Sequence, residues 1–438
     1  MAKELPDLHK VLDRLFSKSG EKPTVAGQAL FDRPDRRKKR GADSDSRAVS
    51  APSSGIGHSG TRKEKRPLAG FMRWLAGASG PVVGLDLAAS GVKLVRVEPG
   101  AGGSVRVSAA ICREIPPDLA EAQRKGFLQQ ALREFRREGL LRGSVVMGVP
   151  EDQIAVEQAA MPKMPASDLE KAVEWEAKEK VAADPATHCI RHLLIGESVA
   201  EGKPQMDLLI FAVPREDVLA PYHLISEAGG KVAAAEPGIL ASVAALDAAG
   251  LFRPEEFVGV MDIGFRTSAL AFVVNHKVRF VRSFSVAGDG ATRSVAEYCK
   301  VDYAAAELQK REAGLPAVGT IQPPAAGGAG QDDMRLRAGQ ALTLYLEKLA
   351  NEVDHSLRYV TYYTLQRGSG RRLDRLYLLG GGAQLRNLGP FLESRLGAEV
   401  QVADPFERVV LSEGGARQLP PGLARTRMAS ALGLALRG

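Results

Sequence analysis

Two aspartates stand where chemistry on phosphate becomes feasible. Asp86 lies at the end of the apolar run 82–87 and Asp262 at the end of the apolar run 258–263, and a turn follows each. Two carboxylates facing one cleft can hold a Mg²⁺ ion through its water shell. Backbone amides in the turns behind them can cradle phosphate oxygens. Ser90 and Thr267 add hydroxyls, Gly264 opens the second turn, and Lys93 adds a positive charge. A lone aspartate at a strand end is more often a cap or turn former, so the weight rests on the pair. A third element is the apolar run 376–379 leading into Gly380, Gly381, Gly382 and Ala383. A strand entering three glycines and then a helix lets a ligand approach closely, although a tight turn without a ligand shares that pattern. No residue stands out as a general base, and Asp262 is the candidate catalytic residue, expected to orient a water.

These residues need elements to bring them together. Apolar runs at 82–87, 92–97 and 105–111 read as strands, with glycines at 100–103 supplying a turn. A helical stretch, 119–139, and a strand, 145–149, follow. The pattern returns at 258–263, 267–274 and 278–286, with Asn275 and His276 between the last two. Placing Asp86 on Asp262 aligns Ala88 with Gly264 and Leu94 with Leu270, which marks an internal duplication of one supersecondary unit. Two similar α/β domains facing each other across a cleft are expected, at 81–255 and 256–438.

An insertion at about 151–235 interrupts the first copy. It reads as a Pro-bounded loop at 161–165, a helix at 167–181 and a strand at 208–213, a small α/β subdomain. Ser167 and Glu170 have capping-box spacing, and Leu169, Ala172, Val173, Ala177 and Val181 make one apolar face. The Ala-, Gly- and Pro-rich stretch 313–331 reads as a surface loop, and 333–365 as a long helix.

Composition bounds the function class. The chain has 438 residues, 45% of them hydrophobic and 25% charged, as in globular proteins of more than one domain. Its 3 cysteines lie far apart, which argues against a disulfide framework or zinc site and for a reducing cytoplasm. No apolar run reaches the roughly 18 residues a membrane helix needs. The net charge of +7 is concentrated in residues 1–80, which hold 17 Lys and Arg against 9 Asp and Glu. The body therefore gives no electrostatic reason to expect nucleic acid. Low hydrophobicity in 1–80 suggests a disordered, solvated extension. A second reading is contact with an anionic membrane surface, using basic residues in 33–75 beside Phe71 and Trp74.

Together, the two acidic turns and the glycine turn resemble the phosphate-1, phosphate-2 and adenosine motifs of actin-like ATPases. Further segments resemble the PilM family of type IV pilus assembly proteins: MPKMP at 161–165 followed by EWEA at 174–177, AELQK at 306–310, GGGAQLRN at 380–387 and ALGLALR at 431–437. The resemblance covers about residues 81–438. It implies an actin-like, ribonuclease H-like duplicated fold with ATP or ADP and Mg²⁺ in the cleft. Asp86 and Asp262 would serve the metal. Ser90, Lys93, Gly264, Thr267, Gly381, Gly382, Ala383 and, beside the nucleoside, Glu307 and Lys310 would serve the nucleotide. It also implies a groove near the inserted subdomain for the N-terminal cytoplasmic tail of a PilN-type inner-membrane protein, alongside other pilus assembly components. A homo-oligomer is left open. Ala88 stands where family members usually carry Gly, and Phe265 and Arg266 make the second turn bulky. The rival readings are an ATPase or small-molecule kinase on the same fold, for which no sugar-binding constellation is evident, and an FtsA-like cell-division scaffold, whose terminal amphipathic helix is not seen here.

Overall fold

A computed structural model describes residues 80–100, 105–116, 119–319, 331–364 and 371–437. The expectations for residues 1–79, a disordered extension or a membrane-contacting stretch, lie outside the described residues.

The chain opens with an antiparallel meander, β1 (Val82–Ala88), β2 (Gly91–Pro99) and β3 (Val105–Glu114). Helix α1 (Glu121–Arg137) turns Ala131, Leu132 and Phe135 inward and returns the chain to β4 (Ser144–Val149), which runs parallel to β1. The insertion follows as β5 (Ala155–Pro162), α2 (Ala166–Val181), β6 (His188–Ala200) and β7 (Lys203–Pro214), a separate three-stranded sheet in the order β5-β7-β6. Helix α3 (Arg215–Glu227), β8 (Lys231–Pro237) and α4 (Gly238–Ala248) complete the first unit.

The second unit repeats the first. The meander β9 (Phe257–Ile263), β10 (Ser268–Val274) and β11 (Lys277–Phe284) is followed by helices α5 (Gly288–Cys299), α6 (Tyr303–Ala313) and α7 (Gln331–Tyr359). Then come β12 (Arg375–Leu379), α8 (Leu388–Leu396) and β13 (Glu399–Val402). The chain closes with β14 (Val410–Leu411), α9 (Glu413–Gln418) and α10 (Ala429–Arg437). The sheet orders are β14-β3-β2-β1-β4-β8 and β11-β10-β9-β12-β13, so β1 and β9 hold the same central place. Buried on both faces, they read as near-continuous apolar runs. Asn275 and His276 both have positive φ, 52° and 61°, as a tight β10–β11 hairpin with the right-handed strand twist requires.

Four details differ from the sequence expectation. The inserted sheet ends at Pro214, because β8 pairs with β4 in the first sheet. The end of the chain belongs with the first sheet: β14 pairs with β3, and α10 buries Ala431, Leu432, Leu434 and Ala435 against β1, β2 and α4. Helix α2 starts after Pro165 without a side-chain cap, so the Ser167–Glu170 box does not form. Helix α7 stops at Tyr359 and a π-helical turn continues to Thr364.

Helix α10 fits because it is built from small residues. A Cβ placed on Gly433 would lie 1.8 Å from the Ala241 carbonyl oxygen of α4. Gly433→Ala is therefore expected to destabilise the protein by roughly 1–3 kcal/mol through overpacking. The opposing gain in helix propensity is about 1 kcal/mol at most. A lower denaturant midpoint checks this; an unchanged or higher one would mean that the two backbones are not in contact.

Candidate functional site

Asp86 and Lys93 face each other because they are direct partners in the β1–β2 antiparallel register. Side chains so paired lie on one face of a sheet. Lys93 Nζ donates to Asp86 Oδ2 at 3.0 Å, and Ser430 Oγ from the start of α10 donates to the same oxygen at 2.6 Å. Burial pulls the Lys93 ammonium down, but the carboxylates of Asp86 and Asp262 outweigh it and hold its pKa above the usual lysine value.

On the opposite domain Asp262 ends β9 and pairs with Leu379 of β12. The next residue, Gly380, has φ +82°, and a Cβ there would fall 2.3 Å from Asp262 Oδ1. Only glycine lets this backbone lie against the carboxylate. Burial pushes the Asp262 carboxyl up to about 6; the Lys93 ammonium opposes the shift and Asp86 adds to it.

A cleft of about 320 Å³ opens between the domains, within the range of small-molecule sites. Of the residues expected from the sequence, Asp86, Ser90, Lys93, Asp262, Gly264, Thr267 and Gly381 line it. Gly382 and Ala383 do not. A Cβ on Gly382 would fall 2.1 Å from the Ile263 side chain, and Ala383 is buried in the second core, so both serve packing behind the cleft. A short 3₁₀ turn, Gly382–Gln384, stands where the sequence suggested a helix.

Glu307 and Lys310 also lie away from this lining. They pair with each other at 2.6 Å on α6, and Lys310 Nζ donates to Thr292 Oγ1 at 2.7 Å and to the Gly288 carbonyl at 3.2 Å. Their charges are satisfied within a network that fixes the start of α5. The Gly288 and Asp289 amides in turn donate to the Gly264 and Phe265 carbonyls at 3.0 and 2.7 Å. The pair supports the second turn from behind.

Ala88 pairs with Gly91 at the end of the β1–β2 hairpin and is not among the residues with positive φ. The alanine therefore carries no left-handed backbone strain at this position.

Sequence reasoning missed Glu151. It follows β4, and its Oε1 accepts the Ile239 amide of α4 at 2.7 Å. Burial raises its pKa to about 8; the Ile239 hydrogen bond opposes this, and the charges of Asp262 and Asp86 reinforce it. At neutral pH it is mostly protonated. Its only sequence signal was an acid after a strand and a proline, since the burial arises from α4 and the opposing domain. Ser430 was missed for the same reason: 344 residues separate it from Asp86.

The arrangement suits a polyanion accompanied by a hard cation. No group of three or more His, Cys, Asp or Glu that could hold a metal occurs among the described residues. Two aspartates fit a Mg²⁺ ion that keeps most of its waters and shares them with phosphate.

The family model of the type IV pilus assembly protein PilM matches residues 84–322 and 337–438. The chain belongs to the PilM family. A solved PilM–PilN type IV pilus biogenesis complex is similar at 26% identity, covering 81% of this chain and 98% of that one with a TM-score of 0.65. The ethanolamine utilization protein EutJ from Carboxydothermus hydrogenoformans is 17% identical, covering 82% and 90%, with a TM-score of 0.44. MreB 5 of Spiroplasma citri, solved bound to AMPPNP, is 16% identical, covering 74% and 92%, with a TM-score of 0.42. With its two duplicated sheets and its family match, this PilM-family chain has the actin-like fold expected from its sequence. Among its described residues no helix is long and apolar enough to cross a membrane.

Proposed function

We propose that this PilM-family protein is an ATP-binding scaffold of the type IV pilus inner-membrane assembly complex, and that it binds the N-terminal cytoplasmic tail of a PilN-type membrane protein. The observation that carries the nucleotide reading is the pair Asp86 and Asp262, at equivalent places in two duplicated sheets and lining one cleft. Each sits beside a turn whose residues line the same cleft. Bound Mg²⁺ would supply charge neutralisation for the phosphates. Asp86 and Asp262 would hold its waters, and Lys93 would offset the remaining negative charge. Gly380 and Gly381 would form the opposite wall. The partner reading is supported by the 26% identity to the PilM component of a PilM–PilN complex over most of both chains. On this reading the protein would act at the cytoplasmic face of the inner membrane, held there through that partner.

The cleft favours a scaffold over an efficient ATPase. Glu151, an acid lining the cleft, is mostly protonated near pH 7 and is a poor base there. Nucleotide would instead set the domain arrangement to which the tail responds. Calorimetric titration of the full chain with Mg-ATP, and then with a synthetic PilN-type tail, tests both parts. Mg-ATP should bind, and the tail's affinity should change several-fold when nucleotide is present. Absence of tail binding in both states would sink the scaffold reading, and absence of Mg-ATP binding would sink the nucleotide reading.

A further inference from the structure

The mouth of the cleft carries positive charge that its partners do not neutralise. Arg124 of α1 lies against the first turn, donates to the Ala89 carbonyl and is 13% exposed. Arg266 belongs to the second turn, in the opposite domain, and lines the same cavity. Both guanidiniums converge on one carboxylate. Arg266 Nη2 lies 2.6 Å from Glu121 Oε2, and Arg124 Nε lies 3.6 Å from Glu121 Oε1.

One carboxylate between two guanidiniums leaves about one unit of positive charge facing the cavity. Burial pulls Arg124 below the usual arginine range and the neighbouring Arg266 adds to that, so the two arginines oppose each other. Elsewhere in the cavity Asp86 accepts from Lys93 and Ser430, and burial raises the Asp217 carboxyl, with the like charges of Asp152 and Glu216 adding to the shift. The Glu121–Arg266 pair also ties α1 of the first domain to a turn of the second. At 70% and 45% exposure its partners are wet, and such pairs contribute little to stability. The contact can therefore be exchanged at low cost. A dianionic group seated between the two turns would be a stronger acceptor for both planar forks than one exposed carboxylate.

We propose that Arg124 and Arg266 read the terminal phosphate of a nucleoside triphosphate, which displaces Glu121 and makes the cleft select triphosphate over diphosphate. The inference rests on the nucleotide reading above and extends it to the phosphate count of the ligand. The full chain, its Arg266→Ala variant and its Glu121→Gln variant are titrated with Mg-ATP and with Mg-ADP. Arg266→Ala should lose roughly tenfold or more in Mg-ATP affinity, the effect of one charge-assisted contact, with Mg-ADP affinity changed less than about threefold. Glu121→Gln should bind Mg-ATP more tightly, since the competing carboxylate is gone. Equal loss for both nucleotides, or no loss for either, overturns the inference and leaves the nucleotide reading standing. A wild-type chain that binds neither nucleotide overturns both.

Discussion

Asp262→Asn is expected to weaken Mg-nucleotide binding severely while leaving the fold as stable as before, or more so. A Mg²⁺ ion held through waters needs anionic oxygens around it. Asparagine keeps the shape of the side chain but removes the charge. Loss of one of two carboxylates should weaken Mg-dependent affinity by on the order of a hundredfold, the effect of about 3 kcal/mol. The stability outcome follows from the acid's environment. Its folded pKa, about 6, lies above the ordinary aspartate value of 3.8. The folded state thus binds the proton more tightly than the unfolded chain. The stabilisation this gives is complete below the unfolded pKa and is lost as pH rises through about 6. At pH 7.5 the ionised carboxylate is a cost, and asparagine removes it. Calorimetry with Mg-ATP and a denaturant titration at pH 7.5 check the two halves separately. A variant that binds like the wild type would show that this aspartate does not serve the metal. A variant that neither binds nor melts cooperatively would assign it to the fold.

The second large effect concerns Glu151 and the apo protein's response to pH. Its carboxyl moves from an ordinary value of 4.5 to about 8 on folding. The sign is the same as for Asp262: stability from this group is complete below pH 4.5 and drains away as pH rises through about 8. At 1.36 kcal/mol per unit, the full loss between those two values is on the order of 5 kcal/mol. Glu151→Gln keeps an oxygen that can accept the Ile239 amide and has no charge to desolvate. Its denaturant midpoint should vary less between pH 5 and pH 8.5 than the wild type's. It should exceed the wild type's at the upper end. Parallel pH profiles for the two proteins would mean that the glutamate is not buried in the way its contacts to α4 indicate.

Much of this architecture was legible in the sequence, for a local reason. Apolar runs of strand length, broken by Gly, Asn and His at turns, are decided by side-chain periodicity and backbone preference within a few residues. The duplication of the strand–aspartate–turn unit, the amphipathic face of α2 and the glycines after β12 all belong to that class. The family motifs at 161–177 and 380–387 lie within such segments. They carry the actin-like, PilM-family reading without reference to any tertiary contact.

What required the tertiary structure is whatever depends on chain returning from far away. Ser430 reaches Asp86 because α10 folds back onto the first sheet, contrary to a division that assigned everything after residue 255 to the second domain. Glu151 is protonated because α4 and the opposing domain bury it, and an acid's pKa is a property of its surroundings. Glu307 and Lys310, grouped by motif with the ligand, satisfy each other behind the second turn. Gly382 serves packing on Ile263, whereas Gly380 clears room for a carboxylate, and the run of three glycines reads alike in both cases. The sequence by itself determined which elements form and which two aspartates they carry. Burial, charge pairing and close backbone approach between residues distant in the chain decided what surrounds them.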